Sequence, residues 1–477
     1  MSNRKRKLFL GAKIRRFREQ NQLTQVALAA SLNLSPSYLN QIENDQRPLT
    51  VAVLLKLGSI YNIDLTTFSE EEDDRIVGEV KDCLEDPLFA NSKINLIDLK
   101  EVVNRAPEFA KHFLSLYQAY HQTNQNYAGL AQNMTGDEAV RSIDGPQFPY
   151  EEVRDFFYYQ NNYFDELDRA AEQLFKQQNL SLGEGETQLI QHLKSNHAIL
   201  VKMDAEGERL RHFDHKTKTL TLSKLLSHKQ RVFNLAHQIC LIEQPQLMDR
   251  IIAQGSFSGE QSKAVCRVGL ANYFAGALLM PYSLFLRHAQ AERYDIERLQ
   301  IIFNVSFEQI CHRLSTLQRP NEKGIPFYFL RVDAAGNISK RQSATSFHFA
   351  RVGGACPLWN VHEAFAQPGK ILRQIAEMPD GKTYFCIART VSRTEGGFMM
   401  PQKNFAVGLG CEITHASQLI YSVGIDLNDK QAAVPIGVSC RVCERDNCPQ
   451  RAFPPIGKQV RIDAHERAFL PYQFSER

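Results

Sequence analysis

Residues 25–44 read QVALAASLNLSPSYLNQIEN, and this stretch decides how the first part of the chain folds. Thr24 is placed to cap one helix. Ala29 is small, as a close helix crossing requires. Asn33 falls at the turn, where asparagine tolerates a left-handed backbone. Ser35 caps the next helix, and Pro36 takes its first position, where a missing N–H costs nothing. Leu34, Leu39 and Ile42 face inward, leaving Ser37, Tyr38, Asn40 and Gln41 outside. The pattern predicts a helix-turn-helix. The second helix of this motif lies in the major groove of double-stranded DNA with its N-terminal side chains at base edges. Glutamine pairs with adenine there, and serine suits any base pair.

Charge around this stretch agrees. Residues 1–65 hold ten Lys/Arg against four Asp/Glu, a net +6 that leaves −3 for the rest of the 477 residues. Arg4 to Lys7 and the arginines that follow supply the phosphate-binding term. Beyond them Ser69-Glu-Glu-Glu-Asp-Asp74 reads as a linker or a solvated helix start. The apolar stretch after Arg4–Lys7 is too short for a signal peptide, and the run Gly269–Pro281 is too short to span a bilayer. A cytoplasmic protein with no membrane contact is expected.

Four segments follow: 1–66, the DNA-binding domain; 67–149, an acidic linker and a helical stretch; 150–320; and 321–477. Residues 107–120 space their apolar positions as an amphipathic helix opened by Pro107. Glycine and proline mark 133–149 as a loop. His212 to Leu222 alternates as a hairpin, and 228–243, 261–280, 295–303 and 306–317 read as helices. After Pro320 the chain turns β-rich at Ile325–Val332, Thr383–Val391, Phe405–Leu409 and Leu419–Ile425. The fold class is multidomain α+β: an all-α N-terminal domain, a mainly helical centre and a β-rich α+β C-terminal domain.

Residues 232–242, VFNLAHQICLI, carry the outline of a zinc-peptidase helix without its chemistry. That helix needs H-E-x-x-H, two metal-binding histidines one turn apart and a glutamate to activate water. Here His237 stands alone, with Gln238 at the base position and Leu241 at the second histidine. Such a site is not expected to hydrolyse a peptide bond, so the chain is read as a non-enzyme. A DNA-tethered protease is the enzyme alternative, and His237 is expected to be a buried, hydrogen-bonded core histidine. This helix and Ala271–Pro281 together resemble the ImmA/IrrE-type peptidases, which implies an inactive scaffold reused for sensing or dimerisation.

Cys440, Cys443 and Cys448 form C-x2-C-x4-C, followed by Pro449. Thiolates this close suit a soft metal centre, and Arg441, Arg445 and Arg451 could offset its negative charge. The Cys-Pro ending resembles bacterial ferredoxin loops, which hold iron–sulfur clusters through cysteine thiolates. Zinc remains the alternative. Cys411 is the nearest candidate for a fourth ligand, with Cys386 and Cys356 behind it, and a non-protein fourth ligand is also open. An iron–sulfur redox switch is a competing functional reading.

Residues 10–62 resemble the XRE family with its lambda-repressor-like fold. That resemblance implies Gln25 and Asn40 near phosphates, Ser37 and Gln41 near bases, an Arg18–Glu43 ion pair and a homodimer on a palindrome; Ser35 and Tyr38 complete the set of candidate DNA-binding residues. The order of parts, with segments 151–157, 162–169, Gly353–His362 and Cys440–Arg445, resembles the short-chain fatty acyl transcriptional regulator family. It implies an acyl-CoA or related effector, control of carbon or fatty-acid metabolism genes and an iron–sulfur cluster in some members. Phe347–Arg351 and Trp359 offer aromatic and basic groups for an effector, with Arg351 and Trp359 as candidate contacts.

Overall fold

Thr24 and Ser35 start two of the helices that close the N-terminal core. In the computed structural model, Thr24 accepts a hydrogen bond from the Ala27 backbone N–H and Ser35 from that of Tyr38. Each satisfies a donor that a first helical turn leaves unpaired. Asn33 ends the first of these helices at φ 59°. Helices α1 (Gly11–Gln20), α2 (Gln25–Leu32), α3 (Pro36–Glu43) and α4 (Val51–Tyr61) bury Leu28, Ala29, Leu39, Ile42 and Leu57 together. The structure describes residues 10–61, 71–120 and 149–474, apart from 45, 85, 90–93, 95, 118, 205–208, 346, 348–355, 394–401, 439, 441–442, 444, 456–459, 463–464 and 466–468. Arg4–Lys7, the loop 133–148, Arg351 and Arg441 lie outside the described residues.

A second small core joins α5 (Glu71–Leu84), α6 (Leu96–Arg105) and α7 (residues 107–117). The helix opened by Pro107 is present, but its buried stripe is narrower than expected. Ala110 and Leu114 are buried, while Phe109 and Leu116 are exposed. The latter pair are seven residues apart and share a face roughly 100° round the helix from Ala110.

The chain divides into two compact units, residues 1–129 and 130–477. The second contains a helical layer: α8 (Pro149–Tyr159), α9 (Asp165–Gln177), α10 (Glu186–His197), α11 (His228–Glu243), α12 (Pro245–Ile252), α13 (Glu260–Leu279), α14 (Tyr282–Ala291), α15 (Ile296–Phe303) and α16 (Phe307–Leu314). Between α10 and α11 lies a small sheet, β1 (Leu200–Asp204), β2 (Arg211–Asp214) and β3 (Thr219–Ser223), in which β2 and β3 form the expected hairpin.

The C-terminal sheet has the order β5-β4-β8-β7-β6-β9. Its strands are β4 (Tyr328–Val332), β5 (Ile338–Ser343), β6 (Leu372–Glu377), β7 (Thr383–Arg393), β8 (Lys403–Glu412) and β9 (Ala433–Pro435). Side chains alternate across it, as the period of a strand requires. Phe329, Phe385, Ile387, Val407 and Leu409 join the core of the helical layer. Tyr328, Leu330, Tyr384, Cys386 and Ala388 form a separate core on the other face. The expected boundary at 320/321 therefore falls inside a shared core, with helices and sheet as two layers of one unit.

Leu419–Ile425 is not a strand. Ile420–Ser422 makes a single 3-10 turn, and the Ile296 N–H donates to the Tyr421 hydroxyl at 2.9 Å. The apolar residues of this stretch pack onto the helical core rather than pairing with the sheet. Among the described residues no single helix is long and apolar enough to cross a membrane. The run Gly269–Pro281 falls mostly in α13, whose Leu270, Phe274 and Leu278 are buried.

Candidate DNA interface, effector cavity and cysteine site

The outer side of α3 is organised by a polar chain. Glu43, whose side chain is fully buried, receives Nε and Nη2 of Arg18 at 2.7 and 3.2 Å, which is the expected ion pair. The Gln25 amide donates to Glu43 Oε2 at 3.1 Å and to Asn40 Oδ1 at 3.2 Å. Asn44 also donates to Asn40 Oδ1, at 3.0 Å. With its oxygen committed to these two amides, the exposed Asn40 keeps its NH2 as the group with which to donate, the polarity a phosphate needs. Ser37 and Asn40 are exposed and Gln41 is half-buried. Ser35 spends its oxygen on the helix cap. Tyr38 is the departure from expectation. It packs partly against the core with Arg47 lying over its ring at 5.2 Å, so it buttresses the helix more than it projects from it.

In the second unit, α11, α13 and α16 stand off from β5 and β7 to leave a cavity of about 1200 Å³. Lys229, Arg313, Lys340, Arg341, Arg389 and Lys403 line it, as does Arg154, while Glu308 is the single carboxylate among the described lining residues. Phe157, Phe233, Phe307, Phe329 and Tyr273 supply apolar wall. Glycine makes the room. A Cβ on Gly269 would stand 3.1 Å from the Phe157 ring, whereas one on Gly276 would meet nothing within 4 Å. The wall is braced by a buried network in which Arg313 Nη1 reaches Asp168 at 2.7 Å and the Tyr273 hydroxyl donates to Asp168 at 2.6 Å. Arg313 stays charged although burial opposes it, because Asp168 more than offsets the desolvation.

Of the two effector contacts expected from the sequence, Trp359 does not line this cavity. Trp359 is buried against Phe347 and Tyr328, in the core on the opposite face of the sheet from Phe329 and the cavity. Arg351 lies outside the described residues. The cavity residues were not legible beforehand because they come from helices and strands between 150 and 403 that only the fold brings together.

His237 is buried on α11, as expected, but its hydrogen bonding is incomplete. Nε2 lies 3.5 Å from Arg211 Nη2, and Nδ1 has no hydrogen-bond partner among the described residues. Burial, and then the Arg211 charge, push its pKa down to about 3. A neutral imidazole beside a guanidinium is no zinc site by itself.

Cys440, Cys443 and Cys448 converge with Cys356 on one small cavity. Cys411 does not. It is fully buried on β8 on the helix-facing side of the sheet, with Phe385 and Leu409, while Ile436, just before the cysteine loop, packs on the other side. Burial raises the Cys356 thiol pKa, and Cys440 and Cys443 are near enough to raise it further. A signal for Cys356 was present: Cys356-Pro357 repeats the Cys448-Pro449 pair. The buried Arg451 ties the loop together, donating to the Cys440 carbonyl at 2.8 Å, to the Cys443 carbonyl at 2.9 Å and to the Arg445 carbonyl. A Cβ on Gly437 would fall 2.7 Å from the Cys443 sulfur, so the cradle needs a residue without a side chain. Four thiols on one cavity, held by a guanidinium, fit a four-cysteine iron–sulfur cluster or a structural zinc.

Known proteins match this chain over nearly its whole length. Residues 14–68 match a helix-turn-helix family, 195–315 the IrrE N-terminal-like domain, and 316–472 the short-chain fatty acyl coenzyme A regulator C-terminal domain. The chain is 44% identical over 470 residues to the HTH-type transcriptional regulator PrpR of Mycobacterium tuberculosis, covering 98% of this chain and 96% of that one. It is equally similar to RamB from the same organism, covering 98% of both chains. It is also 44% identical to a propionyl-CoA carboxylase regulator of Cereibacter sphaeroides, covering 98% of this chain and 99% of that one. A solved Mycobacterium tuberculosis transcriptional regulator superposes with a TM-score of 0.67 at 49% identity, covering 68% of this chain and 99% of that one.

Proposed function

This chain belongs to the short-chain fatty acyl coenzyme A regulator family of helix-turn-helix transcriptional regulators, and on that premise we propose that a short-chain acyl-CoA in the α11/α13/β7 cavity sets how tightly the N-terminal domain holds its operator. The cavity carries this reading. Its volume exceeds the roughly 300–1,000 Å³ of ordinary small-molecule sites, as a long CoA ester needs. Arg313, Lys340, Arg389 and Arg154 are paired with Asp168, Glu308, Glu297 and Glu151, Lys229, Arg341 and Lys403 add further positive charge suited to phosphates, and the aromatic wall suits an acyl chain. The protein is read as a non-enzyme, because His237 has neither a second histidine nor a glutamate base. It is read as a cytoplasmic homodimer, since two half-sites of an operator need two recognition helices.

Calorimetry with acetyl- and propionyl-CoA tests the cavity. A Cβ on Gly276 meets no atom within 4 Å, so Gly276→Leu has room to leave the helix and extend into the cavity it lines. It should weaken binding at least about tenfold and leave operator binding without ligand unchanged. Unaltered ligand affinity in this variant would place the effector elsewhere.

A second reading concerns the cysteine site. We infer that Cys356, Cys440, Cys443 and Cys448 hold an iron–sulfur cluster, with zinc as the alternative. A bound cluster supplies one-electron chemistry, and the residues around it fix its loop and cover it. Iron and sulfide assays on anaerobically purified protein separate the two. One zinc per chain and no visible absorbance would exclude the cluster.

A further inference from the structure

Helices α10 and α11 end against each other on three side chains that neither the cavity nor the cysteine site uses. Nε2 of His192 lies 2.5 Å from Oε1 of Glu243, and Nε2 of His197 lies 2.6 Å from the same oxygen. The three donor atoms fall within 4.8 Å of one another. We propose that His192, His197 and Glu243 form a divalent-cation site suited to zinc, which clips α10 to α11.

The donor chemistry is the first reason. Two imidazoles and a carboxylate are the nitrogen and oxygen ligands that zinc takes, with a fourth position left to water. The backbone is the second. His197 is the last residue of α10 and Glu243 the last of α11. Both helices therefore turn their negative ends to this point, and such ends favour a cation. Burial is graded in a useful way. The His192 side chain is 3% exposed, while His197 and Glu243 are 24% and 19% exposed, so one ligand is fixed in the core and two remain open to an arriving ion. A supporting partner is also in place. Asn196 Nδ2 lies 3.3 Å from His192 Nδ1. An amide can turn its oxygen to that nitrogen, and metal-bound histidines hold their second ring N–H in this way.

The spacings of 2.5 and 2.6 Å are those of hydrogen bonds. Ligands at about 2.0–2.1 Å from a tetrahedral zinc stand roughly 3.3 Å apart. Loading therefore requires the Glu243 carboxylate to draw back by less than about 1 Å, within reach of a partly exposed side chain. The site is distinct from the peptidase-like remnant, because His237 lies on α11 well before Glu243 and faces Arg211.

Cobalt titration of the full-length reduced protein tests the proposal. Cobalt on thiolates absorbs strongly in the near ultraviolet, whereas cobalt on imidazole and carboxylate gives only weak visible bands. Wild type minus His197→Ala, and wild type minus Glu243→Gln, should each leave weak visible bands worth about one equivalent, with no thiolate band, and zinc should displace them. Titrations of both variants identical to wild type would overturn the site. If neither variant folds, zinc-edge X-ray absorption of the loaded wild type decides. Histidine scattering supports the site, and a shell of sulfur alone refutes it.

Discussion

Arg211 holds its guanidinium Nη2 3.5 Å from Nε2 of His237, so the one imidazole left from a metal-binding helix pattern faces a positive charge. A cation there competes directly with any metal at that nitrogen. Burial lowers the pKa of Arg211 without making it neutral. His237 in turn stays unprotonated.

This pairing predicts acid sensitivity. His237 titrates near 3 when folded and near 6.5 when unfolded. Between those values the unfolded chain takes up a proton that the folded chain refuses, so stability is complete above about 6.5 and declines as pH falls toward 3. His312, lowered to about 4 by burial and then by Lys340, acts in the same direction. Urea midpoints of the wild type should drop between about pH 7.5 and about pH 5, and the His237→Gln/His312→Gln variant should show a flatter slope. An unchanged slope would count against buried neutral histidines.

Arg18→Ala should weaken the N-terminal domain, because it removes the main cation on the buried Glu43 carboxylate and leaves it the Gln25 amide and the more distant Arg15. Breaking one side of such a pair costs about 3–5 kcal/mol, and the low end applies since Arg18 is 16% exposed. Ser37→Ala touches no internal bond among those described. It should leave the melting curve in place and reduce discrimination between operator sequences by about 1–3 kcal/mol. Calorimetric melting and competition binding measure the two effects separately.

Gly410→Ala tests the sheet. Tyr328 on β4 reaches across Gly410 of β8 to place its hydroxyl 2.8 Å from the Cys386 sulfur on β7. A Cβ on Gly410 would collide with the Tyr328 ring and hydroxyl. Overpacking of this kind costs typically about 1–3 kcal/mol. Adding Tyr328→Leu should recover part of the loss in thermal denaturation.

Arg451→Met should empty the cysteine site without touching the cavity. It removes the donors that hold the carbonyls of Cys440, Cys443 and Arg445 in one loop. Loss of such supporting bonds typically lowers metal affinity about 10–100-fold. Metal content should fall while the affinity for acyl-CoA holds, and a coupled fall in both would show that the two sites depend on each other.

The helix-turn-helix was legible because its determinants are local: a cap at Thr24, a left-handed turn at Asn33, a cap and proline at Ser35–Pro36. The hairpin around Asp214–Lys218 was legible for the same reason. The Cys411 expectation failed because nearness in sequence says nothing about which face of a sheet a side chain takes. Cys411 and Cys386 sit on neighbouring strands yet point to opposite cores. Trp359 lies in the core rather than at the cavity, a place its sequence context left open, since an aromatic beside glycines suits a ligand pocket or a packed core equally. The cavity could not be read from spacing at all, because its walls alternate between two layers joined only in three dimensions.

That joining limits how such a chain can be rearranged. Phe329, Phe385 and Leu409 share a core with helices encoded far upstream, α9 and α11 among them. A gene cut near residue 320 would yield two fragments, each with a greasy face and each prone to aggregate. A cut near residue 130 falls between the two compact units. Exchange of the DNA-binding domain between relatives by recombination is therefore open at that point, while the second unit travels as a single inheritable piece.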